Sequence, residues 1–427
     1  MEVKGKYGSA EIYAVTVEQE AVSQVILLLN QKAFEGSRIR VMPDVHAGAG
    51  CVIGFTGKFT NNRVIPNIVG VDIGCGMLTK KLGKIEIDFK AFDEHVKKVV
   101  PMGSRRNNNT GKRKEIKDFL SKYLDISKLE DICKRIGADF SDVLNSLGTL
   151  GGGNHFIEVD SDKNSGEHYL IIHSGSRNFG KRVAEWHQRK AEKLLEQRRK
   201  DEKSWFDMEM GTAKQQNNLE KIEEIQKKYE RKKELTNVPK QLSYLEGGEA
   251  LLYIEDMHIA QRYAFANREL MCERIITFFK DSKILKEDKF QTIHNYISEK
   301  DSIIRKGAIS AGVGERVLIP MNMKDGCIIG IGKGNSEWNN SAPHGAGRLM
   351  SRSEAKSKLS LEEFKREMKN IYSTTVERGT LDESPMAYKP MSEIMEVIGD
   401  TIDIEAVIKP VYNVKAVEDG PVWSRKK

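Results

Sequence analysis

The chain has 427 residues, 39% of them hydrophobic and 31% charged, with 36 glycines against 10 prolines. That balance excludes collagen-like, mucin-like and wholly disordered classes, and no run approaches the ~18 apolar residues of a membrane helix. Lysine and arginine total 69 against 62 acids, a net charge of +7 that permits an anionic partner without requiring one.

The first 20 residues lack the apolar core of a signal peptide, which predicts a cytoplasmic protein. The five cysteines are scattered with no CxxC pair, against a disulfide framework or a zinc ribbon. The first segment with a functional signature is PDVHAGAGCVIGFTG (43–57), where a Val/Ile-rich run, read as a buried strand, adjoins a glycine-rich turn carrying His46. NIVGVDIGCGM (67–77) repeats the plan, with Asp72 and Cys75 three apart on a short turn, so that a carboxylate and a thiolate can point at one ion. LGTLGGGNHFIEV (147–159) and IIHSGSRNFG (171–180) bring His155 and His173, and SAPHGAGRLMSR (341–352) brings His344. Any one of these reads equally as a tight turn in a β-rich fold. Histidine in or beside four of the five segments favours a shared site.

Residues 181–240 differ in kind: 29 of 60 are charged, 17 basic and 12 acidic. Their Leu/Ile spacing predicts exposed amphipathic helices in a surface hairpin, serving as a solvated face or as an RNA- or protein-docking arm. A more apolar helix is predicted over about 248–279 and another over about 353–372, with 420–427 a frayed basic tail. No Pro/Gly/Ser-rich linker separates the glycine-rich segments. The prediction is one large α+β domain over 1–420 with mixed or antiparallel sheets, a charged helical insertion at about 188–240 and a basic tail at 421–427.

Asp72, Cys75, His155, His173 and His294 offer carboxylate, thiolate and imidazole donors, a set suited to a borderline divalent ion such as Mn, Co or Zn. The alternative for a single histidine is a packed core residue. In HGAGR, His344 stands beside bare glycine amides and Arg348, an arrangement for phosphate oxyanions in which imidazole serves as base, ligand or nucleophile. Arg177, Arg305, Lys306, Arg348 and Arg352 punctuate the glycine-rich segments. Each alone reads as a structural charge; converging on one cleft they would contact RNA phosphates. There is no P-loop and no GxGxxG after a strand, which disfavours ordinary ATPase and dinucleotide-binding readings.

PDVHAGAGCVIG, GVDIGCGM, GTLGGGNHFIEV, HSGSRNFG, HN at 294–295, RKGAISA, HGAGRLMSR and PMAYK occur in this order. Together they resemble the RtcB family of RNA-splicing ligases over about residues 41–415. The resemblance implies an α+β enzyme that joins RNA 3′-phosphate or 2′,3′-cyclic phosphate ends to 5′-hydroxyl ends, in RNA repair or tRNA splicing. It implies GTP and two Mn²⁺ per active site, with His344 the nucleophile that carries GMP. By the same resemblance Cys75 bridges two ions, one completed by His173 and His294, the other by Asp72 and His155. The implied GTP pocket comprises Asn154, His155, Phe156, Ile157 and Glu158; His294 and Asn295; Pro320, Met321, Asn322, Met323 and Cys327; His344, Gly345, Ala346 and Gly347; and Lys415. The Glu158 carboxylate suits the amino and imino donors of guanine. An archease-like protein is the candidate activator, and no membrane partner is implied.

Two stretches depart from the family pattern. PMNMKDGC (320–327) stands where the family commonly has Pro-Gly-Ser-Met and then a serine, and NSAPHGAGR replaces the commoner SCSHGAGR. These mark a divergent member whose bulkier residues could reshape the ribose or phosphate pocket, or alter nucleotide preference. A metal-dependent phosphohydrolase acting on RNA ends is the alternative function, since it would keep the metal ligands without guanylylating His344.

Overall fold

The strand Phe156–Ser161 shows how the sequence builds the scaffold. Ile157 and Val159 enter an apolar cluster with Leu170, Ile172, Phe92, Met271 and Ile275. Phe156 packs on the other side of the sheet with Met77, Ile171, Cys327 and Ile408. By the two-residue period of a strand, Glu158 and Asp160 share the Phe156 face. One face of the sheet is thus an apolar foundation and the other carries polar groups.

The computed structural model describes residues 1–59, 62–108 and 111–417. Seven strands form one antiparallel sheet, in the order Arg316–Asn322, Gly326–Gly332, Ile402–Lys415, Phe156–Ser161, His168–Ser174, Gly76–Gly83, Lys289–Ile293. Six more form a second sheet, in the order Glu2–Lys4, Ser9–Ile12, Arg38–His46, Ile53–Lys58, Ile304–Lys306, Asn295–Ile297. This one is mixed, because Ser9–Ile12 runs parallel to Arg38–His46. The strands Ala308–Ser310 and Ser341–Pro343 pair separately. His294 lies between a strand of the first sheet and a strand of the second, so it stands where the two meet. The α+β class with mixed and antiparallel sheets expected from the sequence is what is found.

Helix Phe89–Val99, capped by Asp88 through the amides of Lys90 and Ala91, covers the apolar face together with helix Gly247–Ile276. The charged stretch forms helices Arg177–Gln215 and Leu219–Thr236, which pack on each other; Phe206 stacks on Tyr229 with ring centroids 4.2 Å apart. Beyond Leu195 the first of these buries only Ala213, so its distal half stands in solvent. The single helix expected over 353–372 is instead two short ones, Arg352–Lys358 and Leu361–Glu367. Leu359 and Ser360 are extended, and the Ser360 hydroxyl caps the second helix through the Glu363 amide, which stops the first from continuing. The predicted basic tail lies outside the described residues. Among the described residues no helix is long and apolar enough to cross a membrane.

Candidate active site

The turn between helix Pro66–Val69 and strand Gly76–Gly83 carries Asp72 and Cys75. It lies against the end of strand His168–Ser174, so closely that a Cβ on Gly175 would sit 2.1 Å from Asp72 Oδ1. Two neighbours on helix Gly247–Ile276 lock the surrounding loops. The buried Arg268 donates from Nη1 to the carbonyls of Gly74 (2.9 Å) and Ser174 (2.6 Å). Asn267 accepts from the Gly148 and Thr149 amides and donates to Ser174 Oγ and the Gly175 carbonyl. Burial lowers the Arg268 guanidinium to about 10, and the nearby Cys75 and Asp72 act against that.

The donors converge on Cys75. Its Sγ lies 3.2 Å from His173 Nε2 and 3.4 Å from His155 Nε2, and His155 Nε2 lies 3.0 Å from Asp72 Oδ2. Cys75, His173 and His294 form one possible ligand triad and Asp72, Cys75 and His155 a second, sharing the sulfur. The outer nitrogens set the tautomers. His155 Nδ1 is 2.9 Å from the Leu150 carbonyl and His173 Nδ1 is 3.1 Å from that of Asn154, so each Nδ1 donates and each Nε2 turns a lone pair towards sulfur and carboxylate. With only the thiol proton of Cys75 shared among Asp72 and two imidazole lone pairs, acceptors outnumber donors, the condition a bound cation relieves. His294 Nδ1 is buried with no hydrogen-bond partner, which adds a waiting imidazole donor. Burial, reinforced by neighbouring histidines, holds His173 and His294 well below the ordinary imidazole value, so both are neutral and able to ligate. The residues present therefore fit divalent ions.

His344 adjoins this cluster, its ring centroid 4.7 Å from that of His294. Asp44 Oδ2 accepts from His344 Nδ1 at 2.5 Å and from its backbone amide at 3.0 Å. Gly347, at φ +78°, lets the HGAGR loop close on Asp44, since a Cβ there would sit 2.4 Å from the Asp44 carbonyl oxygen.

Both features open on a cavity of about 290 Å³. Asp72, Cys75, His173, His294, Asn295 and His344 line one part of it; Asn154, Phe156, Glu158 and Lys415, Pro320 to Met323, Gly345 to Gly347, Arg348 and Arg352 line the rest. His155 is reached through its bond to Asp72. Asn295 braces the metal turn, donating to the Asp72 carbonyl and accepting from the Gly307 amide. The far end is basic: Arg348, Arg352 and Lys415 all meet Glu383, at 3.3, 2.8 and 2.9 Å. Although burial opposes it, these three cations hold the Glu383 carboxyl below its ordinary range. In the departing stretch, Met321 and Met323 are buried, and the Asn322 side-chain oxygen Oδ1 accepts from the Lys324 and Asp325 amides, shaping the turn.

Other sequence candidates lie elsewhere. Ile157 points its side chain into the apolar cluster on the opposite face of the sheet. Cys327 is buried behind Glu158, with Sγ 3.9 Å from Oε1. Three of the five basic residues expected to meet RNA phosphate do not line the cavity. Arg305 is fully buried and donates to Ser341, Tyr296, Asp301 and two backbone carbonyls. Lys306 spends its ammonium on the carbonyls of Ala49, Cys51 and Asn67, and Arg177 donates to Thr149 Oγ1 and the Gly103 carbonyl. Conversely, Asp44, Arg268, Glu383, Tyr388 and Asn413 belong to the site and were not singled out from the sequence. Asp44 and Tyr388 had a local signal, as the acid of the PDVH segment and the tyrosine of PMAYK.

A cluster of thiol, imidazole and carboxylate groups beside a basic, glycine-lined cavity defines a candidate metal-dependent enzyme of phosphate chemistry. Residues 30–416 match the family model described as tRNA-splicing ligase RtcB. Among curated proteins the chain is 29% identical to RNA-splicing ligase RtcB1 of Escherichia coli, covering 94% of this chain and 95% of that one. It is 28% identical to tRNA-splicing ligase RtcB of Aeropyrum pernix, covering 84% and 83%. The chain belongs to the RtcB family of RNA ligases.

Proposed function

We propose that this protein joins RNA 3′-phosphate or 2′,3′-cyclic phosphate ends to 5′-hydroxyl ends, using GTP and two Mn²⁺ ions and a guanylylated His344. The observation that carries the reading is the Asp44–His344 pair beside the metal cluster. With Nδ1 and its proton committed to Asp44, Nε2 is left as the nucleophilic nitrogen, and Asp44 stabilises the positive ring formed on attack. The Nε2 attacks the α-phosphorus of GTP; an N–P bond forms and the bond to pyrophosphate breaks. GMP then passes to an oxygen of the RNA 3′-phosphate, regenerating imidazole. The RNA 5′-hydroxyl attacks that 3′-phosphorus, gives up its proton and expels GMP. A cyclic phosphate end is first opened by water.

Divalent ions held by Asp72, Cys75, His155, His173 and His294 would withdraw charge from the phosphate oxygens during these transfers. Arg348, Arg352 and the amides of the HGAGR loop favour a polyphosphate in the cavity. Glu158, gripped by Asn413 at 2.6 Å, presents a carboxylate to the donor edge of guanine, with Lys415 nearby. In this reading the hairpin at about 188–240 is a solvated insertion within one catalytic domain.

The test is incubation with labelled GTP and Mn²⁺, then a denaturing gel and acid treatment. An acid-labile label absent from His344→Ala is expected, together with ligation of 2′,3′-cyclic phosphate to 5′-hydroxyl RNA. Loss of the terminal phosphate with neither label nor joined product would leave the phosphohydrolase alternative standing.

A further inference from the structure

Behind Glu158, on the same face of the same strand, lies a second acid that the ligation chemistry does not use. Asp160 has no exposed surface, and no N–H or O–H of the described chain reaches either of its oxygens. Its polar neighbours are the Glu158 carboxyl and the Cys327 thiol, and the three side chains cluster within 4.8 Å. The nearest cations are committed elsewhere: Lys409 donates to the Asp325 carbonyl at 2.9 Å and Lys415 pairs with Glu383 at 2.9 Å. Phe156, Cys327, Ile329 and Ile408 form an apolar cluster on the same face of the sheet.

We infer that Asp160 is a positioning residue for base selection: as a neutral carboxylic acid it donates a hydrogen bond to Glu158 and holds that carboxylate, ionised, against the imino and amino edge of guanine. The inference rests on the GTP reading above.

Two carboxylates packed this closely in an apolar wall cannot both ionise. Burial, then the Glu158 charge, pushes Asp160 well above the carboxylate range. Burial leaves Glu158 raised as well, although its contacts with Asp160 and Asn413 and the Lys415 charge oppose it. Asn413 donates to a Glu158 oxygen whereas no N–H or O–H reaches Asp160, so when the pair holds one proton the donor-poor Asp160 keeps it and the negative charge lies on Glu158. That charge lies on the residue lining the cavity, while Asp160 does not line it. Asn413 fixes one Glu158 oxygen from the side, and the Asp160 acid fixes the carboxylate from behind. An ionised carboxylate offers acceptors only, which matches the paired donors of guanine and repels the lone pair of adenine N1. A buried acid without donors is costly, so its presence is better explained by this service than by stability.

The experiment measures binding of GTP, ITP and ATP to the full chain in Mn²⁺ for the wild type, Asp160→Asn and Asp160→Leu, with adduct formation and thermal unfolding in parallel. The wild type should prefer GTP to ITP and ATP. Asp160→Asn, whose amide still donates, should stay within about threefold of it. Asp160→Leu should bind GTP roughly tenfold or more weakly, as expected for a lost hydrogen bond to a charged group. Its ATP binding should be unchanged, its adduct rate retained at saturating GTP, and its unfolding temperature equal or higher. Wild-type GTP affinity and GTP/ITP ratio in Asp160→Leu would overturn the inference, as would equal losses in Asp160→Asn and Asp160→Leu. A wild type with no preference for GTP would instead remove the nucleotide reading on which the inference stands.

Discussion

Asp44 and His344 are 300 residues apart in sequence, yet one carboxylate oxygen of Asp44 receives both the ring Nδ1–H and the backbone amide of His344. Orientation, tautomer and loop position are thereby set by a single fully buried oxygen-bearing group. Asp44→Asn keeps the shape but can turn a donor amide towards Nδ1, favouring the wrong tautomer. Adduct formation should fall by roughly a hundredfold or more, while metal content and fold are unchanged. Rapid-quench measurement of adduct formation with elemental analysis of the same sample checks this. A wild-type rate would dissociate Asp44 from the nucleophile.

Cys75 is the sulfur common to both ligand triads. Removing it should therefore abolish two metal sites, where loss of His294 should weaken one. In the metal-free protein burial and Asp72 raise the Cys75 thiol well above its ordinary value, so a cation must displace its proton on binding. Loading the wild type with Co²⁺ should give a sulfur-to-metal charge-transfer band and release protons, and Cys75→Ser should show neither. A normal band in Cys75→Ser would mean that the sulfur is not a ligand.

Four of the five candidate metal donors were legible in sequence because they sit in short apolar, glycine-rich segments, Asp72 and Cys75 sharing one, whereas His294 stands in the apolar, glycine-free TIHNYI. Their supports were not legible, because they act across the fold. Arg268 lies in the middle of a long helix, and its role exists only because the Gly74 and Ser174 carbonyls come to it. Glu383 becomes a site residue only when Arg348, Arg352 and Lys415 gather round it. Arg305 and Lys306 misled for the converse reason. A basic residue beside glycine looks available to phosphate until the fold shows carbonyls filling its donors. The α+β class followed from irregular alternation of strand-like and helical runs, whereas the sheet order, which pairs residues 402–415 with 156–161, has no local sequence signal.

His46 lines the cavity and accepts no cationic role: burial lowers it to about 4, against a weaker raising effect from its contact with Asp44. The other charged groups facing it, His344 and Arg348, push in the same direction as burial. An unfolded histidine titrates near 6.5, so between ~6.5 and ~4 the unfolded chain binds the extra proton. The associated stability is thus complete above pH ~6.5 and is lost as pH falls towards 4, by roughly 2 kcal/mol at pH ~5 and about 3 kcal/mol at pH ~4. Comparing metal-free wild type and His46→Gln by thermal unfolding at pH 7.5 and about pH 5 isolates this contribution. The wild type should lose more stability than the variant; equal losses would refute the assignment.

Arg305 and Arg352 look alike in sequence but should behave oppositely. Arg305 has no exposed side-chain surface, and its guanidinium joins the Ile304–Lys306 strand to Asp301, Tyr296 and the 339–341 turn. Arg305→Met strands those acceptors in the interior and should cost about 3 kcal/mol, read by denaturant unfolding. RNA affinity of the molecules that remain folded should be unchanged. Arg352 has 44% of its side chain exposed at the cavity, with Asp382 and Glu383 as partners. Arg352→Ala should cost only about 1 kcal/mol, because its own side chain is half exposed and the buried Asp382 and Glu383 keep Lys356, Arg348 and Lys415 as partners. It should weaken RNA binding and flatten its salt dependence by up to about one counterion. Fluorescence anisotropy with a 3′-phosphorylated oligoribonucleotide at several salt concentrations separates the two. Reduced affinity in folded Arg305→Met, or an unaltered salt slope in Arg352→Ala, would reverse these assignments.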